Sequence, residues 1–205
     1  MDNKHWTTIK GWFSYKSLYE EIINLIPEDE IMVELGTWLG QSTCFMGQKI
    51  KESGKNVKFY ACDLFIIPDE NYLESGESGL TEWEKRCDEQ DFLPIFLDNL
   101  KKQGVEDWVT PIKMDTFEFS KTFEDKSIFF LFVDDNHDPI HVYNELNAWL
   151  PKMKDNSILS GHDSDSKHII KALNKFVKEH NLTYTINKPD KTWTIKLNKE
   201  GENDE

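Results

Sequence analysis

Two short stretches carry the residues best suited to chemistry. One reads Val133-Asp134-Asp135-Asn136-His137-Asp138 and the other Ser160-Gly161-His162-Asp163. Each follows an apolar run, so each marks the end of a buried strand. Carboxylates and imidazoles gathered at one edge can hold a divalent cation, Mg²⁺ or another. Alternatively, His137 can act as a general base, because an imidazole titrates near neutrality. A metal-dependent hydrolase could use the same four groups, Asp134, His137, His162 and Asp163. His141 and His168 fall on helical stretches and read as surface or packing residues.

A second constellation lies earlier in the chain. A short apolar run leads into Glu34-Leu35-Gly36-Thr37-Trp38-Leu39-Gly40-Gln41-Ser42. Glycines at 36 and 40 let the backbone turn sharply and approach a ligand, and the helix that follows offers its first N–H groups. The spacing is not the tight glycine set of a pyrophosphate cradle. An acid two residues before the first glycine suits a ligand with an ammonium group, such as the methionine end of S-adenosylmethionine. Asp63, with Leu64 beside it, closes the next apolar run, where an acid can accept both hydroxyls of a ribose. Asp115 and Thr116 follow a third, where an adenine edge would lie.

These residues need a scaffold that brings strand ends together. Leu18, Ile22, Leu25 and Ile26 predict a helix over 14–26, stopped by Pro27. Strands are expected at 31–35, 57–62, 109–113, 128–133 and 157–160. Helices are expected at 41–51, 92–102 and 138–150, the last opened by Asp138-Pro139. Ser164 or Ser166 would cap one more, carrying Ile169, Leu173 and Phe176. Ile128–Val133 is apolar at every position, as in a parallel strand covered on both faces. Segments 182–186 and 192–197 alternate and read as a hairpin. The acidic stretch 66–91, with Tyr72 and Trp83, reads as an insertion or lid. The expected fold is α/β: a Rossmann-like, doubly wound, mostly parallel seven-stranded sheet. It has helices on both faces and a C-terminal antiparallel hairpin. It forms a single domain over 1–197, with a polar tail at 198–205.

The motif Glu34-x-Gly36-x-x-x-Gly40-x-Ser42 followed by Asp63 resembles the first two motifs of class I S-adenosylmethionine-dependent methyltransferases. The run from Phe132 through His137 to Leu146, then Trp149-Leu150-Pro151, then Gly161-His162-Asp163, resembles one branch of them. Its signature is Asp-Gly-x-His-x-Tyr…Asp-Leu…Trp-x-Pro…Gly-Gly…Gly-His-Asp. That branch includes sugar O-methyltransferases of macrolide pathways and relatives of cephalosporin-biosynthesis proteins. The resemblance implies that Asp134 sits at the cofactor and metal edge. His137 would be the base, and Asp163 with His162 would complete a metal site. It places Glu34, Gly36, Thr37, Trp38, Gly40, Ser42, Asp63, Leu64, Asp115 and Thr116 around the cofactor. Four residues depart from the signature. Asp135 and Asn156-Ser157 replace glycines, and His162 stands where metal-binding members often carry an acid.

Bulk properties narrow the partners. A formal net charge of −14 over 205 residues disfavours nucleic acid and fits a small-molecule acceptor or a basic partner. Three dispersed cysteines give no disulfide framework. No apolar run is long enough to cross a bilayer, and no secretory signal is visible, so a cytoplasmic protein is expected. A homo-oligomer is left open. The leading expectation is methyl transfer from S-adenosylmethionine to a small-molecule hydroxyl, on a sugar or secondary metabolite. The alternatives are a non-catalytic nucleoside-binding protein on the same fold and the metal-dependent hydrolase.

Overall fold

A computed structural model describes residues 5–66 and 91–198. Tyr72 and Trp83, the body of the acidic insertion and the end of the tail lie outside them. The elements are α1 (Lys16–Leu25), β1 (Ile31–Leu35), α2 (Gln41–Ser53), β2 (Lys58–Asp63), α3 (Leu93–Gln103), β3 (Thr110–Lys113) and α4 (Thr116–Ser120). Then come β4 (Ile128–Val133), α5 (Pro139–Trp149), β5 (Met153–Gly161), α6 (Lys167–His180), β6 (Thr185–Asn187) and β7 (Thr192–Leu197). One seven-stranded sheet runs in the order β3-β2-β1-β4-β5-β7-β6. The first five strands are parallel, and β7 is antiparallel to both β5 and β6. This is the expected doubly wound architecture.

Strand β4 shows why its sequence lacks alternation. Phe130 and Phe132 join a core with Leu18, Tyr19 and Ile22 of α1, Phe45 of α2 and Phe96 of α3. Leu131 and Val133 face the other way, toward Val142 and Trp149 of α5 and Leu173 and Phe176 of α6. Each side chain of this kind, when buried, contributes about 1.5–3 kcal/mol. Helix α6 is held by one stripe, Ile169, Ala172, Leu173 and Phe176, at helical spacing. Helix α5 starts as expected, with Asp138 Oδ1 accepting from the N–H groups of Ile140 and His141.

Several boundaries differ from expectation. Helix α1 starts at Lys16, two residues late. The five-residue α4, too short to show a period, was not anticipated. Strand β5 begins at Met153, and Asn156 there takes a left-handed φ of 59°. Asparagine tolerates that conformation better than most residues, which lets it stand in for a glycine. Ser166 occupies the cap position of α6 without a side-chain cap hydrogen bond. The hairpin's first strand shrinks to three exposed residues, because β6 is the sheet edge and buries nothing.

Successive crossovers reverse direction between β1 and β4, so the crevice at their carboxyl ends is the topological switch point. Asp134 N–H donates to Leu35 O at 2.8 Å and ties the two ends together, while Gly36 N–H donates to Cys62 O of β2 at 2.9 Å. Among the described residues, no helix is long and apolar enough to cross a membrane.

Candidate functional site

The glycine loop is held from below by Asp63. Its Oδ2 accepts from the N–H groups of Thr37 at 2.9 Å and Trp38 at 3.0 Å, and its Oδ1 from Phe65 N–H at 2.8 Å. Burial pushes this carboxyl up to about 6, against the pull of those three donors. Each carboxylate oxygen has two lone pairs, so Oδ1 keeps one for a ligand hydroxyl. Gly36 has φ 76° and packs against β4 so closely that a Cβ would collide with the Asp134 carbonyl oxygen. Glu34 lies beneath the loop, fully buried, accepting from Tyr19 Oη at 2.8 Å and Thr43 Oγ1 at 2.5 Å. Burial raises its carboxyl to about 7 although Ser42, Thr43 and Tyr19 bond to it.

The loop has unused hydrogen-bonding capacity. Thr37 Oγ1 and Trp38 Nε1 are shielded from solvent and have no hydrogen-bond partner. Helix α2 starts at once, with Gly40 as its cap at φ 87° and no side-chain cap. The N–H groups of its first turn, at Gln41 and Ser42, have no intrahelical acceptor. Leu64 and Met114 expose apolar surface beside it. Asp115 spends Oδ1 on capping α4, accepting from Phe117 and Glu118 N–H, and Thr116 is buried behind it. Unpaired donors, an acid with a spare lone pair and an apolar shelf fit a nucleoside carrying an amino-acid end.

A chain of four titratable groups forms the neighbouring edge. His137 Nε2 meets Asp163 Oδ2 at 2.6 Å. His162 Nδ1 lies 3.3 Å from Asp163 Oδ1 and 3.5 Å from Asp134 Oδ1. Tyr15 Oη donates to Asp134 Oδ2 at 3.1 Å. On its far side, His162 Nε2 is 3.0 Å from Ser14 Oγ, whose own hydrogen goes to Asp190 O at 2.8 Å. Ser14 must therefore accept from Nε2–H, while Nδ1 faces two carboxylates. With Nε2–H given to Ser14 and Nδ1 set against two carboxylates, the arrangement favours the doubly protonated imidazolium. Burial opposes this charge, but the bonds to Asp134 and Asp163 outweigh it and push the pKa up to about 10. Burial would raise Asp163, yet the two histidines hold its carboxyl far below the usual range. Asp163 bonding outweighs partial burial to raise His137 above its ordinary value.

The structure thus brings together all four residues of the expected edge. It does not give Mg²⁺ a suitable donor set. Asp134, His162 and Asp163 are close enough to share an ion. However, the middle member is an imidazole whose second nitrogen is already fixed by Ser14. Mg²⁺ demands oxygen ligands in near-ideal octahedral order. A cation there would have to compete with the proton that already bridges the carboxylates.

Two features of the edge were not legible in the sequence. Ser14 and Tyr15 lie more than 100 residues from their partners, and no spacing signals the contact. His141, expected as a surface or packing residue, packs and also meets an acid. It is half-buried, 3.5 Å from Asp135 and packed on the Phe117 ring.

Residues 33–164 match a family described as a methyltransferase domain. The match spans more than half of the chain, and the protein belongs to that methyltransferase-domain family. No curated protein matches its sequence. Among solved structures, the O-methyltransferase NovP aligns over 90% of this chain and 78% of its own, with a TM-score of 0.66 and 15% identity. The O-methyltransferase TomG from Streptomyces achromogenes, involved in tomaymycin synthesis and solved in complex with SAM, covers 90% and 79% at TM-score 0.55 and 12% identity. Cofactor-bound Rv0187 from MTB covers 90% and 78%, also at TM-score 0.55 and 12% identity. At such identities the likeness establishes the fold.

Proposed function

We propose that the protein methylates a hydroxyl group of a small molecule, using S-adenosylmethionine as donor and His137 as general base. Membership of the methyltransferase-domain family and two O-methyltransferase neighbours support the reaction class. The branch signature at Asp134–His137 and Gly161–Asp163 supports the sugar or secondary-metabolite acceptor. The single observation that carries the base assignment is the 2.6 Å pairing of His137 with Asp163 beside the glycine loop.

When bound, the cofactor supplies an electrophilic sulfonium methyl group. The chain's own residues then have three tasks. The loop from Gly36 to Ser42 holds the amino-acid end, and Asp63 Oδ1 and Leu64 receive the ribose and adenine. Asp163 orients His137 by accepting from Nε2–H, which leaves Nδ1 to take the acceptor's hydroxyl proton. His137 is half-exposed, as a group that must meet an incoming substrate should be. The His162 imidazolium supplies the fixed positive charge between Asp134 and Asp163, so proton removal needs no metal ion. Positioning and proton removal suffice because the methyl donor is already activated.

Calorimetric titration with S-adenosylhomocysteine, with and without Mg²⁺, tests the site. Micromolar binding, independent of Mg²⁺ and lost in Asp63→Ala, is expected. No binding in either condition would remove the basis for methyl transfer.

A further inference from the structure

Asp135, His141 and Glu145 form a second cluster on the opposite side of β4's end from His162. His141 and Glu145 are one turn apart on α5 and so share a face. His141 Nε2 lies 3.5 Å from Asp135 Oδ2 and 4.0 Å from Glu145 Oε1. One ligand atom from each of the three lies within 4.8 Å of the others. Glu145 is fully buried, and neither of its oxygens has a hydrogen-bond partner. His141 Nε2 and the buried Thr116 Oγ1 are in the same condition. A buried carboxylate with no donor is costly, and natural proteins pair such groups or give them to a metal.

We propose that Asp135, His141 and Glu145 bind a divalent ion of the zinc class. One imidazole nitrogen and two carboxylate oxygens are a borderline set that suits Zn²⁺ and does not suit Mg²⁺. Tetrahedral zinc, with bonds of about 2.0–2.1 Å, separates its ligand atoms by roughly 3.3–3.5 Å. The His141–Asp135 distance already has this value, and Glu145 needs to close on His141 by about half an ångström. The Phe117 ring packs on His141 at 5.1 Å between centroids and restricts its rotation. The ion would pin the segment between β4 and α5 that carries His137. With three protein ligands it would keep water in its remaining positions, and it is independent of whether the protein transfers methyl groups.

The test uses the full chain, stripped with a chelator and titrated with Zn²⁺ against a chromophoric competitor. Thermal melting and Co²⁺ absorption are recorded alongside. One equivalent of Zn²⁺ is expected, with a rise in Tm and visible Co²⁺ bands of a four- or five-coordinate site. Glu145→Gln and His141→Asn should each weaken Zn²⁺ binding by about tenfold or more, while His162→Asn should leave it unchanged. His141 is half-buried, so its variant remains informative if Glu145→Gln fails to fold. No Zn²⁺ uptake by the wild type overturns the proposal. So does uptake that survives the His141 change, or uptake lost in His162→Asn instead.

Discussion

Replacing His162 by asparagine separates the imidazolium's charge from its hydrogen bonds. The amide can still donate toward Asp134 and Asp163 but cannot titrate. His162 has a folded pKa of about 10, raised above the ordinary imidazole value near 6.5. A raised pKa means that the folded state binds a proton the unfolded chain has released. Its contribution to stability is therefore complete below the unfolded value and is lost as pH climbs through about 10. Between the two values, stability should fall by about 1.4 kcal/mol per pH unit. From pH 7 to 9 this amounts to about 2 kcal/mol, with part of the effect already spent near pH 7. The side chain is only 7% exposed, so solvent screens little of it. Urea unfolding of both proteins at pH 7, 8 and 9 gives the measurement. The difference in stability, wild type minus His162→Asn, should shrink by that amount across the series, which cancels titrations common to both chains. A flat difference would show that His162 is neutral when folded, and the metal-free edge would lose its support.

Other outcomes follow from the same geometry. His137→Ala should lower kcat by about 10² or more while leaving S-adenosylhomocysteine affinity, measured by calorimetry, unchanged. The acid limb of the kcat–pH profile should lie above the ordinary imidazole value, because Asp163 raises His137 and the base works only when neutral. Asp163→Asn should move that limb to lower pH. Gly36→Ala forces a Cβ against the Asp134 carbonyl oxygen at a left-handed φ, so urea unfolding should register a loss of about 2 kcal/mol or more. Asp63→Asn turns an acceptor of three N–H bonds into a group with one donor end. Calorimetry should show nucleoside binding weakened about tenfold, and wild-type binding should fade as pH drops through about 6.

The parts of this protein legible in its sequence are those fixed by local chemistry. Unbroken hydrophobicity from Ile128 to Val133 implied two covered faces, and Phe132 and Val133 indeed feed separate cores. Asp138-Pro139 announced a helix start through an interaction confined to four residues. The acid at 63 stood out because it ended an apolar run, but its grip on Thr37 and Trp38 depends on β1 lying beside β2. What stayed hidden required the closed fold. Ser14 links His162 to Asp190, three points spread over 176 residues. His141 read as a surface or packing residue, and its neighbours Asp135 and Glu145 became visible only in the folded chain.

The charge pattern at the edge decides which histidine can exchange a proton. Asp134, His162, Asp163 and His137 form a line in which carboxylates and imidazoles alternate. His162 sits between two carboxylates, 7% exposed, with its remaining nitrogen tied to Ser14. Removing its proton would leave two partly buried carboxylates facing one another without that counter-charge, so the proton is held until the pH climbs toward about 10. His137 has one carboxylate neighbour, shared with His162, and an exposed second nitrogen. Its proton can therefore exchange with solvent, at a pKa that Asp163 raises above the ordinary imidazole value. An acid at position 162 would reverse this arrangement. Three carboxylates would need a cation from solution, and Asp163 would have to serve the ion as well as His137. Histidine at 162 supplies that cation from the chain itself and leaves Asp163 free to orient His137.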